Sequence, residues 1–433
     1  MTDVAIIGAG VIGCAIAWEL KKLGARATVI DREGDAGHGS TSASCGIVRR
    51  FYSTRTMIGM AQEGAETWAH WGEHTGLGEG SGLARFERPG MLFIPPALDA
   101  GVDEIVRNMR SLGVAVEVLS PDEVKGRFAF LDTSSHSPVR QPKDDDFFED
   151  TGRSIAGAVF EPDAGYVISP MLATQNLRAA GERDGVEFLL GRAVVAIRDG
   201  VEGQRFSLEL ADGTTLGADV VVNAAGPHSA LVNRMAGVSL PIETRALRRE
   251  VCALENPVYS AESEQPLPVV GDLDSGIYFR PETGARDLIV GSLDPRCDVL
   301  EWVDNPDEHD PTCSADGFER QVLRLMKRFP EAQLGKRRGL SGMYDVTPLD
   351  WNPVLDRTEK PGYYVAIGTS GSSFKTAPVI GSIMAQLIDA CEAGRDHDAD
   401  PLVVLLPRSG FELNVGFFSR LRGAHVSSGT VLG

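Results

Sequence analysis

Three glycines and one carboxylate near the amino terminus have the residue types and spacing for phosphate and ribose chemistry. In Ile6-Ile7-Gly8-Ala9-Gly10-Val11-Ile12-Gly13 a buried-strand run enters a Gly-x-Gly-x-x-Gly turn. Gly8 permits the tight turn, Gly10 lets the backbone approach a pyrophosphate, and Gly13 lets the next helix pack close to the strand. The free N–H groups at the helix start then point at phosphate. Asp31 follows roughly 20 residues later, where an acid can accept a hydrogen bond from a ribose hydroxyl. The pattern implies a dinucleotide, NAD or FAD.

The elements needed to hold these residues are legible around them. Val11, Ile12, Ala15, Ile16 and Leu20 recur at helical spacing, Glu19, Lys21 and Lys22 fall on the other side, and Gly24 ends the helix. Ala27, Val29 and Ile30 form a second strand. A polar, glycine-rich loop over 34–46 runs into Ser40-Thr41-Ser42-Ala43-Ser44-Cys45-Gly46-Ile47-Val48-Arg49-Arg50. A helix is expected over 57–74, with Met57, Ala61, Ala65, Trp68 and Trp71 as a packing stripe. Strands are expected within 86–94, and the acidic stretch 143–150 reads as an exposed loop.

Farther along, Ser169 can cap a helix that starts at Pro170 and ends at Asp184. A strand over 186–190 and hairpin strands over 194–197 and 206–210 follow. In Ala218-Asp219-Val220-Val221-Val222-Asn223-Ala224-Ala225-Gly226-Pro227 the valine run is apolar on both faces, as a central parallel strand requires. It ends in small residues that admit a ligand closely. Short strands at 276–280 and 288–291 belong to a second lobe over 241–336. Tyr363-Tyr364-Val365-Ala366-Ile367-Gly368-Thr369-Ser370-Gly371-Ser372-Ser373-Phe374-Lys375-Thr376-Ala377-Pro378 then gives a second strand and glycine turn, leading into an apolar helix over 379–387.

Composition narrows the partners. A net charge of -19 over 433 residues argues against nucleic acid or an anionic membrane as the main partner. No apolar run approaches the roughly 20 residues that span a bilayer. With a strand starting at Val4 there is no room for a leader, so the cytoplasm is the expected compartment. The six cysteines show no Cys-x-x-Cys spacing, so reduced thiols and no zinc site are expected. His70 and His74 are expected on a solvated helix face, and no metal is expected.

In chain order, the glycine turn, the Ser40 to Arg50 loop, the Asn223-Ala224-Ala225-Gly226-Pro227 strand end and the Gly368 to Pro378 loop resemble the D-amino-acid-oxidase-like FAD oxidoreductases. The nearest types are sarcosine oxidase, dimethylglycine dehydrogenase and glycine oxidase. The resemblance implies an α/β fold, a Rossmann-like FAD-binding domain with a discontinuous α+β substrate domain containing a mostly antiparallel sheet. The FAD-binding domain is expected at 1–85, 151–240 and 337–400, the substrate domain at 86–150 and 241–336, and a tail at 401–433. FAD is expected against Gly8, Gly10, Val11, Ile12, Gly13, Asp31 and Arg32, and against Ser40, Thr41, Ser42 and Ser44 of the loop. Val194, Ala225, Gly226 and Gly342 complete that surface together with Gly371, Ser372, Ser373, Phe374 and Lys375.

The implied reaction is hydride transfer from the carbon next to an amine nitrogen to flavin N5, giving an imine that hydrolyses. A secondary or N-methyl amino acid is the favoured substrate, and oxygen or another acceptor takes the electrons. The helix start after Gly368 would stabilise negative charge at the pyrimidine end of the flavin. Arg49 matches the family's loop arginine and Lys375 its late lysine, which together anchor a carboxylate. Arginine grips it with two parallel bonds, and lysine adds a point charge. Arg50 is the alternative to Arg49. Arg280 and Tyr344 fall where substrate-lobe and flavin-contact residues occur in relatives.

Departures from the family pattern are informative. Gly342 stands where monomeric sarcosine oxidase links its flavin through cysteine, and Ala43 where dimethylglycine dehydrogenase uses histidine, so noncovalent FAD is expected. Ile289 stands about where sarcosine oxidase has a lysine that promotes reaction with oxygen, and without that cation a dehydrogenase is left open. Two rival functions remain: a 2-hydroxy-acid dehydrogenase, and a noncatalytic FAD-binding subunit of a larger complex. A homo-oligomer or a heteromeric subunit is compatible with either.

Overall fold

The computed structural model describes residues 2–78, 80–200, 203–260 and 267–428. Asp3–Ile7 is flanked by Val220–Asn223 and Arg26–Ile30, all parallel, inside a six-stranded sheet. Tyr363–Ile367 and Glu187–Leu189 extend it in parallel on either side, and Val354–Arg357 closes one edge antiparallel. The helices Val11–Lys22, Pro170–Asp184 and Ala377–Glu392 pack against one another on one face. On the other, Ala5, Ile7, Val221, Tyr363 and Val365 bury against Phe206, Leu208 and Leu210 of a three-stranded hairpin sheet. Cover on both sides is why Val220–Asn223 is wholly buried and reads as an unbroken apolar run.

The Ser169 side chain accepts a hydrogen bond from Leu172 N at 3.2 Å, and its helix begins at Pro170 and ends at Asp184 as the sequence dictates. The helix expected over 57–74 is instead two, Arg55–Ala69 and Trp71–Thr75. At the break the His70 ring nitrogen meets Glu66 O at 2.9 Å, a side-chain contact that competes with the helical ladder. His74 is not solvated either. It lies edge-on to Trp18 and stacked on Trp71, and burial pushes its pKa down to about 3. In the acidic stretch, Phe147 turns inward and is buried.

The second lobe is a nine-stranded, mostly antiparallel sheet. Leu92, Ile94, Phe160, Leu254, Phe279, Leu288 and Val290 form one side of its core under the helix Ala315–Arg328. Because side chains alternate along a strand, the paired registers turn Phe93, Arg249, Tyr278, Arg280, Ile289 and Tyr344 to the opposite side, toward the first lobe. Ala158–Glu161 and Gly339–Val346 pair into this sheet, so its backbone ladder reaches past the boundaries expected at 151 and 337. Of the tail expected at 401–433, the described part, 401–428, is docked on the rest of the fold. Arg420, 2% exposed, binds Asp356 at 3.0 Å and Asp398 at 2.7 Å, and Phe418 is fully buried. Among the described residues no helix is long and apolar enough to cross a membrane.

Candidate active site

Each glycine of the first turn has a different steric task. Gly8 has φ of 115°, and a Cβ there would fall 2.3 Å from Ala224 O at the end of the central strand. A Cβ on Gly13 would fall 1.9 Å from Gly8 O, so helix and turn touch backbone to backbone. Gly10 has only Thr41 Oγ1 within reach, at 3.4 Å, and its side is open. As the N-cap of Val11–Lys22 it supplies no capping side chain, which leaves the first helical N–H groups to a ligand. Val11 N is the exception and donates to Thr41 Oγ1 at 3.3 Å.

Asp31 braces this turn. Its Oδ2 accepts from Ala9 N at 2.6 Å and its Oδ1 from Glu33 N at 2.8 Å. A carboxylate has lone pairs to spare beyond these. Arg32 points to solvent and pairs with Asp307. Arg192 N donates to Asp31 O at 2.8 Å, which brings the strand starting at Val194 beside the same end. In the loop, Ser42 Oγ donates to Gly39 O at 2.8 Å and Ser44 Oγ accepts from Gly46 N at 3.2 Å, while Ser40 is half-buried. Asn223 Oδ1 accepts from Ala225 N at 3.2 Å and fixes the small-residue end at Ala225 and Gly226.

The second glycine turn is held from outside. Asp345 Oδ2 accepts from Gly368 N and its carbonyl oxygen from Ser370 N, both at 2.7 Å. Burial pushes the Asp345 carboxyl up to about 7 against the pull of the Gly368 N–H. Trp68 Nε1 donates to Lys375 O at 2.8 Å and its ring stacks on Phe374. A Cβ at Gly64 would fall 2.3 Å from Lys375 O, so the Arg55–Ala69 helix reaches the turn only because residue 64 is glycine.

Two cations, 326 positions apart in sequence, converge on one tyrosine. Lys375 Nζ donates to Tyr52 OH and Ser372 O, each at 2.8 Å, and the Arg49 guanidinium lies 4.1 Å from the Tyr52 ring centre. Lys375 is 3% and Arg49 4% exposed. Burial, then the Arg49 charge, lowers the Lys375 pKa well below its ordinary value, an effect that a bound anion would oppose. Arg50 is committed elsewhere: it pairs with the fully buried Glu161 at 2.8 Å and its Nε donates to Gln62.

Over 3–387 the chain matches the family model described as FAD dependent oxidoreductase. The chain belongs to this FAD-dependent oxidoreductase family. It is 27% identical to the bovine FAD-dependent oxidoreductase domain-containing protein 1 over 424 residues, covering 89% of this chain and 81% of that protein. It is 23% identical to a monomeric sarcosine oxidase from a Bacillus species, covering 92% and 94% of the two chains. Among solved structures it is similar in fold to an L-proline dehydrogenase from P. horikoshii, with a TM-score of 0.74, 21% identity and coverage of 98% and 99%.

The residues of this oxidoreductase fit FAD. The open side of Gly10 and its uncapped helix start suit a pyrophosphate, and Asp31 suits a ribose. At the far end Ser373 Oγ is buried with no partner among the described residues, beside a helix start at Ala377. Gly342 and Tyr344 close the gap between the loops. A Cβ on Gly342 would fall 2.6 Å from the Ala43 Cβ, and one on Gly371 2.6 Å from the Tyr344 ring. Burial drives the Tyr344 phenol upward, so it stays neutral.

Arg280 takes a different part from the one its residue type invites. Its Nε donates to Cys45 O at 2.8 Å, its Nη1 to Pro281 O at 2.6 Å, and its guanidinium lies over Tyr166. It ties the sheet to the loop ahead of Arg49. Tyr52, Trp68, Asp345, Tyr278 and Arg249 carry comparable positions and escaped the sequence reading. Tyr278 OH lies 3.0 Å from Cys45 Sγ on the same sheet face. Strand alternation could have nominated Tyr278 from Arg280; the other four needed the tertiary contacts.

Proposed function

We propose that this oxidoreductase oxidises a small secondary or N-methyl amino acid, or a related amine, at the carbon next to nitrogen, and that the imine product hydrolyses. The observation that carries this reading is the convergence of Arg49 and Lys375 on Tyr52, two buried cations beside the second glycine turn. A single carboxylate between them would meet both, taking paired N–H bonds from Arg49 and a charge-assisted bond from Lys375. Bound FAD would supply the two-electron acceptor for the C–H bond. Arg49 and Lys375 orient the substrate, Tyr52 aligns Lys375, and Phe51 stacked on Phe93 at 4.4 Å shields them from water.

The substrate nitrogen must enter without its extra proton, because its lone pair has to form the C=N bond as the C–H electron pair departs with the hydride. Gly342 and Ala43 offer no nucleophile to a flavin, which supports noncovalent binding. Ile289, buried on the sheet face, supplies no charge at its own position, which supports a carrier other than oxygen as acceptor. Anaerobic titration of the yellow protein with N-methyl amino acids, amino acids and 2-hydroxy acids tests the proposal. Bleaching by N-methyl amino acids is expected; bleaching by hydroxy acids alone overturns it.

A further inference from the structure

The sheet face above Tyr344 carries a charged pair that none of these roles uses. Arg249 lies opposite Gly342 in the pairing of Arg245–Glu255 with Gly339–Val346, and its guanidinium is 5.8 Å from the Tyr344 ring centre. Nη1 pairs with Asp294, and Nη2 donates to Ser292 O at 2.9 Å. The fork therefore keeps its Nε–H and one hydrogen on each terminal nitrogen without an acceptor among the described residues. Asp294 is also incompletely satisfied: its Oδ2 is buried with no hydrogen-bond partner among those residues.

A buried ion pair kept only for structure satisfies its remaining donors and acceptors, because each unmet group costs desolvation free energy. This pair leaves both partners unmet, and the Arg249 side chain retains 14% of its surface against 5% for Asp294. Burial pulls the arginine pKa down, but Asp294, Tyr344 and the other neighbours outweigh it, so Arg249 stays charged. The Asp294 carboxyl is itself pushed up by burial, which weakens it as a counter-charge. Among the nearby cations, Arg50 and Arg280 are buried more deeply, their side chains 6% and 2% exposed against 14% for Arg249, and Arg50 has the fully buried Glu161 as its counter-charge. With one carboxylate held by Arg49 and Lys375, Arg249 is the most accessible of these forks, and its partner carboxylate is itself unmet.

We propose that Arg249 receives a second anionic group of the substrate, which is then an N-substituted amino acid bearing two carboxylates. One carboxylate lies on Arg49 and Lys375 and the other on Arg249. The inference rests on the amine-oxidation reading, which places the first carboxylate.

The test uses the FAD-loaded protein and thioethers, which carry sulfur in place of the oxidisable nitrogen. Thiodiacetate and its one-carbon-longer homologue carry two carboxylates, methylthioacetate one, and the shift in flavin absorbance on titration reports binding. At least one dicarboxylate should bind about 10-fold or more tighter than methylthioacetate, as a charge-assisted fork contact warrants. Arg249→Met combined with Asp294→Asn, which avoids stranding the aspartate, should abolish that preference and leave methylthioacetate binding within about twofold. Equal affinities in the unaltered protein, or equal weakening of both ligand types in the double variant, overturn the inference. Anaerobic reduction by N-methylaspartate and N-methylasparagine separates the two readings. If neither bleaches the flavin while the dicarboxylate preference holds, amine oxidation fails and the anion site stands. If both bleach it equally, amine oxidation stands and the second anion site fails.

Discussion

The two glycine turns of the six-stranded sheet do the same topological job by opposite means. At 8–13 the strand turns into its helix mainly through close backbone contacts, Gly8 on Ala224 O and Gly13 on Gly8 O, with the Asp31 carboxylate of the same βαβ unit holding Ala9 N. At 368–375 the turn is shaped by side chains from distant segments. Asp345 takes its N–H groups, Trp68 takes Lys375 O, and Tyr52 takes Lys375 Nζ. A turn that only grips phosphate can be local, because N–H groups suffice. A turn that must place a charged side chain beside the reacting atoms needs support from elsewhere in the fold.

The largest break in this comparison should come from Gly13→Ala. With a Cβ 1.9 Å from Gly8 O the helix cannot stay against the turn, and FAD per mole of purified protein should fall at least about 10-fold. Arg49→Ala should do the reverse, leaving flavin content near normal while raising the substrate concentration for half-maximal anaerobic reduction by about 10 to 100-fold. If Arg49→Ala instead empties the protein of flavin, the division of labour between the two turns is wrong.

Asp345 sharpens the contrast through pH. Its carboxyl, raised to about 7, is protonated in the fold where an unfolded aspartate is already ionised. The folded state thus holds the extra proton, and this group's contribution to stability falls as pH rises from about 4 to about 7. In Asp345→Asn that loss should vanish. Thermal unfolding midpoints compared at about pH 5 and about pH 7.5 should differ less than in the unaltered protein. The smallest effect is expected from Trp68→Phe, which keeps the stacking on Phe374 but removes one hydrogen bond to Lys375 O. It should cost about 1 kcal/mol in denaturant unfolding, with a few-fold weaker binding of methylthioacetate.

The same contrast explains what the sequence discloses. Gly8, Gly10, Gly13 and Asp31 lie within one short unit whose spacing is itself the mechanism, so a dinucleotide-binding fold is readable there, while the choice of FAD over NAD rests on the loops far along the chain. The valines at 220–222 were readable because cover on both faces forbids polar residues. Arg49 and Lys375 were recognisable by position, but their meeting at Tyr52 depends on a contact across the whole chain. Arg249 was beyond reach, because the register of Arg245–Glu255 against two partner strands decides which of the adjacent Arg248 and Arg249 faces the site. Arg248 goes to Glu250 and Glu301 on the other side. His74 misled for a related reason: helical spacing said nothing of Trp18 packing on it from another element.

Arg49 and Lys375 are proposed to hold the carboxylate of an amine for oxidation. Anaerobic titration of the FAD-loaded protein and its Arg49→Ala variant with an N-methyl amino acid, followed by flavin absorbance, tests it most directly. Full bleaching is expected in both proteins, with the midpoint moved about 10 to 100-fold higher in the variant. Identical midpoints in the two proteins, or a flavin that no amine reduces, would contradict it.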